Sequence, residues 1–251
     1  MSRKTEMGDP WMKIDVMGVR FDNVTMADAL EKAKNILAGE KTCYCVTPNA
    51  EMVYEAMQDS AFCELLNRAE RVLPDGAGVV MGAEILGTPL KEKVAGIDFA
   101  SNLCGVLAGT GQKLYLLGSK PGVAEQAAEK LKEKYPGLTI CGTADGYFKD
   151  EGPVVEKINA AGADVVFVCL GAPKQEKFME RHQEDLHVKL MIGLGGSLDG
   201  FAGNVKRAPQ WMINARLEWF YRLVKEPKRL GRMMRLPKFV LACKKKAKGK
   251  G

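Results

Sequence analysis

This chain is poor in the residues that hold metals and in the runs that cross membranes. Its two histidines, His182 and His187, are five apart and do not share a helix face. It has no Asp-x-Asp pair, the pattern many nucleotide-sugar transferases use to hold a divalent cation. Charge developing on a leaving group would therefore fall to Lys, Arg and helix N-termini. Its seven cysteines are scattered and never spaced C-x-x-C; such an odd, unclustered set argues against a disulfide framework and reads as reduced, mostly buried small residues. Gly193-Leu194-Gly195-Gly196-Ser197-Leu198 has Leu198 where a dinucleotide fingerprint needs its third glycine, which argues against a nicotinamide enzyme. The longest uncharged run, Phe99 to Gln112, contains three glycines and is too short to span a bilayer. The first residues lack the apolar core of a signal peptide, so a cytosolic location is expected.

What is present is an ordinary globular composition, 46% hydrophobic and 27% charged over 251 residues, enough for one domain or one domain plus an appendage. The charge is uneven. Lys206 to Lys250 holds 15 Lys and Arg against Glu218 and Glu226, a net +13 that leaves −7 on the remainder of a chain of +6. An acidic body with a basic tail points to an anionic partner for the tail: a membrane surface, nucleic acid or a diphosphate.

Two short strands are expected at Ile14–Met17 and Val19–Phe21, then a helix capped by Thr25 and Asp28 that stops at Gly39. Strands at Cys43–Thr47, Arg71–Leu73, Lys113–Leu117, Leu138–Gly142, Asp164–Leu170 and Lys189–Leu194 alternate with amphipathic segments. Short apolar strands alternating with helices predict parallel βαβ units, a Rossmann-like sheet covered by helices on both faces. The expected division is an α/β catalytic domain over 12–207 and a basic helical appendage over 208–251.

Open α/β sheets bind ligands at the carboxyl ends of their strands, so the residues after each strand carry the information. Gly118-Ser119-Lys120-Pro121-Gly122 suits a diphosphate cradle, since glycine admits backbone N–H groups to an oxyanion and a helix start favours negative charge; it equally suits a plain β–α turn. Gly171-Ala172-Pro173-Lys174-Gln175-Glu176 repeats the pattern, with a polar trio that either meets a uracil edge or sugar hydroxyl or forms a solvated first helical turn. Gly146 and Tyr147 lie in the segment that follows a third strand, Leu138–Gly142. Asp75, directly after a strand, is placed as a general base towards a hydroxyl, or as an ordinary Asp-Gly turn residue. In the tail, Ile213, Leu217, Phe220 and Val224 form a helical stripe widened by Met212, Trp219 and Leu223. That stripe suits either a membrane interface or packing on the body.

Thr47-Pro48-Asn49, Leu73-Pro74-Asp75-Gly76, Leu116-Leu117-Gly118, Gly171 to Glu176, Gly195 to Gly200, and Arg207-Ala208-Pro209 through Glu218-Trp219, Arg222-Leu223 and Glu226-Pro227 occur in this order from Ile14 to Arg235. In combination they resemble the WecG/TagA/CpsF family, glycosyltransferase family 26. The resemblance implies inverting, metal-independent transfer from a UDP-sugar to a polyprenyl-diphosphate-linked N-acetylglucosamine. The chain is most similar to the Gram-positive TagA type, whose donor is UDP-N-acetylmannosamine. The implied product is a β-1,4-linked disaccharide on undecaprenyl diphosphate, the linkage unit of wall teichoic acid. On this reading Asp75 is the base, Thr47 and Asn49 line its pocket, and Arg222 and Arg229 assist catalysis. Gly118, Ser119, Lys120, Gly146, Tyr147, Gly171, Pro173, Lys174, Gln175 and Glu176 bind the nucleotide. Lys93, Asp98, Arg207 and Arg232 meet the acceptor or its diphosphate. Lys93 stands where the family often has Arg; it keeps the charge without the planar fork.

The expected partners are UDP-N-acetylmannosamine, the polyprenyl-diphosphate acceptor and an anionic membrane surface on the inner face of the plasma membrane. No cofactor, metal or nucleic acid is expected, and a homo-oligomer is left open. The alternatives are another UDP-sugar such as UDP-N-acetylmannosaminuronic acid, a non-catalytic nucleotide-sugar sensor, a nucleic-acid binder using the basic tail, and a Rossmann-type reductase.

Overall fold

The computed structural model describes residues 12–205, 208–209, 211–212, 220–221, 231 and 234–249. The chain opens with an antiparallel hairpin, β1 (Lys13–Val16) and β2 (Val19–Asp22). Helix α1 (Met26–Ala38) follows with the expected capping box: Asp28 N–H donates to Thr25 Oγ1 and Thr25 N–H to the Asp28 carboxylate. The first half of the body is β3 (Cys43–Val46), α2 (Ala50–Ala56), α3 (Ser60–Arg68), β4 (Arg71–Val72), α4 (Ala77–Ile85) and α5 (Gly96–Thr110). The second half is β5 (Lys113–Gly118), α6 (Val123–Lys134), β6 (Thr139–Ala144), α7 (Gly152–Ala160), β7 (Val165–Cys169), α8 (Lys174–Arg181), β8 (Leu190–Gly193) and α9 (Ser197–Phe201).

The expected parallel sheet is present, six strands in the order β4-β3-β8-β7-β5-β6. Alternation along its strands builds two cores. Tyr44, Val46, Tyr115, Leu117, Val166 and Val168 join the core under α2, α3, α4, α7 and α8. Cys45, Leu114, Leu116, Val165 and Phe167 join the opposite core under α1, α5, α6 and α9. Burial on both faces explains why β3 and β7 are apolar at every position and β5 at every position after Lys113. The cysteines are free and five of the seven are buried; burial pushes the thiols of Cys104 and Cys169 up to about 12, so they stay protonated.

Connections leave β5 towards β6 and leave β7 towards β8, in opposite directions along the sheet. The crevice at such a reversal is where open α/β sheets bind ligands.

Two segments differ from the sequence reading. Helix α8 begins at Lys174, so the polar trio is its first turn, but that turn is not solvated: Gln175 and Glu176 share one buried face with Phe178 and Met179. Helix α9 occupies part of what reads as a Gly-rich loop.

The last described helix, α10 (Arg235–Lys248), lies along α2 and α4. Its seat is made by glycines four apart. A Cβ on Gly78 would meet Leu236 at 2.7 Å, and one on Gly82 would meet Phe239 at 2.6 Å. Phe239 and Cys243 are fully buried there, and Arg235 is paired with Glu55 of α2 at 2.6 Å. The outer side carries Leu241, 66% exposed, among the exposed Lys238, Lys244, Lys245 and Lys248. No helix among the described residues is long and apolar enough to cross a membrane.

Candidate active site

The strand ends form two clusters on one rim. The first lies beyond β3 and β4. Thr47 is buried and donates to Gly193 O (2.8 Å); its hydroxyl sits where a Cβ on Gly96 would lie, 2.9 Å away, so the first turn of α5 packs directly on it. Asn49 caps α2, accepting from the N–H groups of Glu51 and Met52. Asp75 N–H donates to Pro48 O (3.3 Å), and Val94 N–H donates to Pro74 O (2.9 Å). These bonds draw the Asp75 turn to Asn49 on one side and to the Lys93 segment on the other. Asp75 does not cap α4; that position is Gly76. Asp75, Lys93 and Asp98 are half-buried, so this cluster is partly shielded and still reachable.

The second cluster lies at the β5–β7 reversal, around a cleft of about 590 Å³ lined by Ser119, Lys120, Gly146, Tyr147, Phe148, Cys169, Leu170, Lys174 and Asp199. Gly118 makes it possible. Its φ is +129°, and a Cβ there would lie 2.3 Å from Cys169 O. Ser119 follows with φ 61°, a conformation uncommon for a side-chain-bearing residue. Its backbone N–H donates to Cys169 O (3.1 Å) and its hydroxyl to Asp199 Oδ2 (2.6 Å). The loop after β6 closes over it, with Gly146 N–H donating to Ser119 O (2.9 Å).

Lys174 holds that loop from the other side. Its Nζ donates to Gly146 O (3.0 Å) and lies 4.3 Å from the centre of the Phe148 ring, and Phe148 packs on Phe178 one turn along α8. Tyr147 is left 70% exposed at the mouth. The cleft thus offers two lysines, the start of α6 beyond Lys120, an aromatic ring and a carboxylate, a set suited to a nucleoside diphosphate.

The structure brings Ser119, Lys120, Gly146, Tyr147 and Lys174 together around one cleft; Gly118 supports its floor, and Gly171 and Pro173 precede Lys174 without lining it. Gln175 and Glu176 are elsewhere, buried beneath the rim at 3% and 0% exposure. Both ends of the Gln175 amide are bonded inside the protein. Its carbonyl accepts from Gly195 N–H (2.9 Å) and its NH2 donates to Glu176 Oε1 (2.7 Å). Burial pushes the Glu176 carboxyl up to about 7. Its Oε2 has no hydrogen-bond partner among the described residues, an arrangement that costs about 1–3 kcal/mol. Asp199 and Phe148 were not singled out in the sequence. The signal for Asp199 was its place in the first helical turn after Gly195-Gly196, at a strand end. Arg207, Arg222, Arg229 and Arg232 lie outside the described residues. Of the apolar tail stripe, Met212 is buried and Phe220 is 47% exposed; Ile213, Leu217, Trp219, Leu223 and Val224 also lie outside them.

Comparison with known proteins follows this geometry. Residues 14–251 match the Glycosyl transferase WecG/TagA/CpsF family. A relative from Bacillus subtilis is 41% identical over 204 residues, 81% of this chain and 80% of its own length. One from Bacillus spizizenii is 40% identical over 205 residues, 82% and 80% of the two chains. One from Staphylococcus aureus is 36% identical over 231 residues, 91% of each. All three carry the name N-acetylglucosaminyldiphosphoundecaprenol N-acetyl-beta-D-mannosaminyltransferase. With a match across nearly its whole length and relatives this similar, the chain belongs to the WecG/TagA/CpsF family of glycosyltransferases.

Proposed function

We propose that this glycosyltransferase moves N-acetylmannosamine from UDP-N-acetylmannosamine to N-acetylglucosamine carried on undecaprenyl diphosphate, with inversion and without a metal. The observation that carries the reading is the two-part rim. A cleft with lysines and a helix start suits the donor diphosphate, and a half-buried carboxylate, Asp75, stands farther along the same rim at the end of β4, open to a sugar hydroxyl. The names of the relatives supply the donor sugar and the acceptor.

Asp75 accepts the proton of the acceptor hydroxyl as its oxygen attacks the anomeric carbon. The bond from that carbon to the UDP oxygen breaks on the opposite face. The departing diphosphate is met by Lys120, by the N-terminus of α6 and by arginines of the 208–251 segment, Arg222, Arg229 and Arg232. That segment also serves as the contact with anionic lipid on the cytoplasmic face. In support, Met234 and Leu241 are 51% and 66% exposed at the start and on the basic outer side of α10, and Trp211 and Phe220 are 65% and 47% exposed, a combination suited to an interface.

The test is turnover of UDP-N-acetylmannosamine with a short-chain polyprenyl-diphosphate N-acetylglucosamine acceptor, run with magnesium and with EDTA. A β-1,4 disaccharide formed at equal rates in both is the expected result. No transfer from this donor rules out the assignment, and a strict need for a divalent cation rules out the metal-free mechanism.

A further inference from the structure

Glu176 presents an anomaly that donor binding does not explain. It is a carboxyl with no exposed surface, one oxygen bonded to a neutral amide and the other without a partner among the described residues. An apolar side chain would fill the same space without that cost. What the carboxylate does supply is direction. An ionised carboxylate only accepts hydrogen bonds, whereas an amide donates at one end and accepts at the other. Glu176 Oε1 therefore takes the NH2 of Gln175, and the Gln175 carbonyl is turned to Gly195 N–H.

The segment it reaches joins the two clusters of the rim. Gln175 lies on Gly193, where a Cβ would come within 3.0 Å of its Nε2. The Gly193 carbonyl accepts from Thr47 in the first cluster. Gly195, held by Gln175 with φ 56°, leads through Ser197 into α9. The Ser197 hydroxyl pins that turn to Leu194 O (2.7 Å), and α9 carries Asp199, the acceptor for Ser119 in the second cluster. We infer that Glu176 is a positioning residue whose buried carboxylate, acting through the Gln175 amide, sets the Gly193–Ser197 turn and thereby the relative placement of Thr47 and Asp199. The inference about donor affinity rests on reading the rim as a nucleotide-sugar site.

Protonation is the natural perturbation. A neutral acid can donate to the Gln175 carbonyl instead, which permits the flipped amide, and the flipped amide presents NH2 to Gly195 N–H, two donors face to face. The charged and titratable groups nearest Glu176 have partners of their own. Glu55 of α2, whose charge raises Glu176 further, is held in its pair with Arg235. The Tyr44 hydroxyl of β3, pushed up to about 12 by burial, stays neutral and donates to Leu65 O. Glu180, one turn along α8, is paired with Arg68 of α3 at 2.6 Å.

The experiment has two readouts. The first is calorimetric titration of wild type and Glu176→Gln with UDP-N-acetylmannosamine, whose doubly esterified diphosphate does not titrate near neutrality. It runs from about pH 5.5 to pH 8.5, bracketing the value of about 7 that burial gives Glu176. Wild type should bind about tenfold more tightly at the alkaline end, the worth of one charge-assisted hydrogen bond. Glu176→Gln should bind weakly and evenly across the range. Wild-type affinity in the variant, or an unchanged pH step, overturns the inference. The second readout needs neither variant nor donor. The side-chain NH2 resonances of Gln175 in the wild-type protein should shift with a midpoint near neutrality, and signals that stay constant overturn the positioning role. If those signals move as expected while the donor fails to bind at any pH, the positioning role stands and the functional reading is the part that fails.

Discussion

Gly118→Ala perturbs one methyl group at the point where β5 hands the chain to the cleft. The new Cβ would lie 2.3 Å from Cys169 O and 2.5 Å from Cys169 C, atoms of the neighbouring strand rather than a side chain that can rotate away. Three costs add. Holding alanine at φ +129° costs about 1–3 kcal/mol. Relieving the overlap by separating packed strands costs about 1–3 kcal/mol. The Ser119 N–H bond to the same Cys169 oxygen is lost, about 1 kcal/mol. The total of roughly 3–7 kcal/mol is a large part of the roughly 5–15 kcal/mol that holds a domain folded. For a chain of this size it corresponds to a fall in Tm of about 6–28 °C. Gly87→Ala is the control. Gly87 has φ +77° but nothing within 4 Å of its Cβ position, so it loses only the left-handed preference, about 1–2 kcal/mol. Circular-dichroism melts of both variants, with UDP titrations of each, make the comparison. Gly118→Ala should be the less stable and the weaker UDP binder, because Ser119 moves with it and its bond to Asp199 breaks. Equal melting temperatures would refute the argument that contact with Cys169, rather than backbone sign alone, demands glycine at this site.

Asp75→Asn keeps the shape of the turn and removes the base; turnover should fall by about 10²–10⁴-fold while UDP affinity stays near wild type, and near-normal turnover would return Asp75 to a turn residue. Reversing Lys244, Lys245 and Lys246 to Glu, on the outer side and last turn of α10, should abolish co-sedimentation with anionic vesicles at low salt, since each cation near such a surface contributes roughly 1 kcal/mol. Unchanged sedimentation would remove this helix from the membrane contact. Raising the Glu176 carboxyl from 4.5 to about 7 means that the folded state holds the proton more tightly than the unfolded chain. Its contribution to stability is complete below about pH 4.5 and lost as the pH rises through about 7, at most about 3 kcal/mol. Urea unfolding of wild type against Glu176→Gln across that window should show the difference, and parallel pH profiles would contradict it.

The architecture was legible because the inner sheet strands, β3, β5, β7 and β8, are buried on both faces and so read as short apolar runs between helical patterns. Thr25 and Asp28 announced the start of α1 through local chemistry alone, which tertiary packing has no reason to override. The strand-end glycines were legible for the same reason: a backbone that must pass close to another strand leaves glycine in the sequence, as at Gly118. The cleft was legible as a set of loops, but its shape was not. The grip of Lys174 on Phe148 and Gly146 joins residues from two loops whose pairing depends on strand order, and strand order is set by long-range packing that no local pattern encodes. The helical character of the basic tail was expected, but the seat of α10 on the body was not. Leu236, Phe239 and Cys243 need the groove made by Gly78 and Gly82, far away in the chain.

Gln175 and Glu176 mark the limit of reading polarity as exposure. A Lys-Gln-Glu trio after a Pro reads as a ligand contact or as a solvated helix start, and neither reading places it inside the protein. The neighbouring residues did contain a signal. Phe178 and Met179 fix the inward face of α8, and counting back three residues from each places Glu176 and Gln175 on that same face. What periodicity could not supply was a reason for two polar side chains to be there, because the compensating groups, Gly195 N–H and the Thr47-bonded end of β8, come from elsewhere in the chain. Burial removes both side chains from direct contact with ligand in this arrangement and gives them a different kind of influence. A turn fixed by a single amide, itself oriented by a single charge, couples the proton on Glu176 to the geometry of both halves of the rim. A helix start that was only solvated would leave the cleft indifferent to that proton.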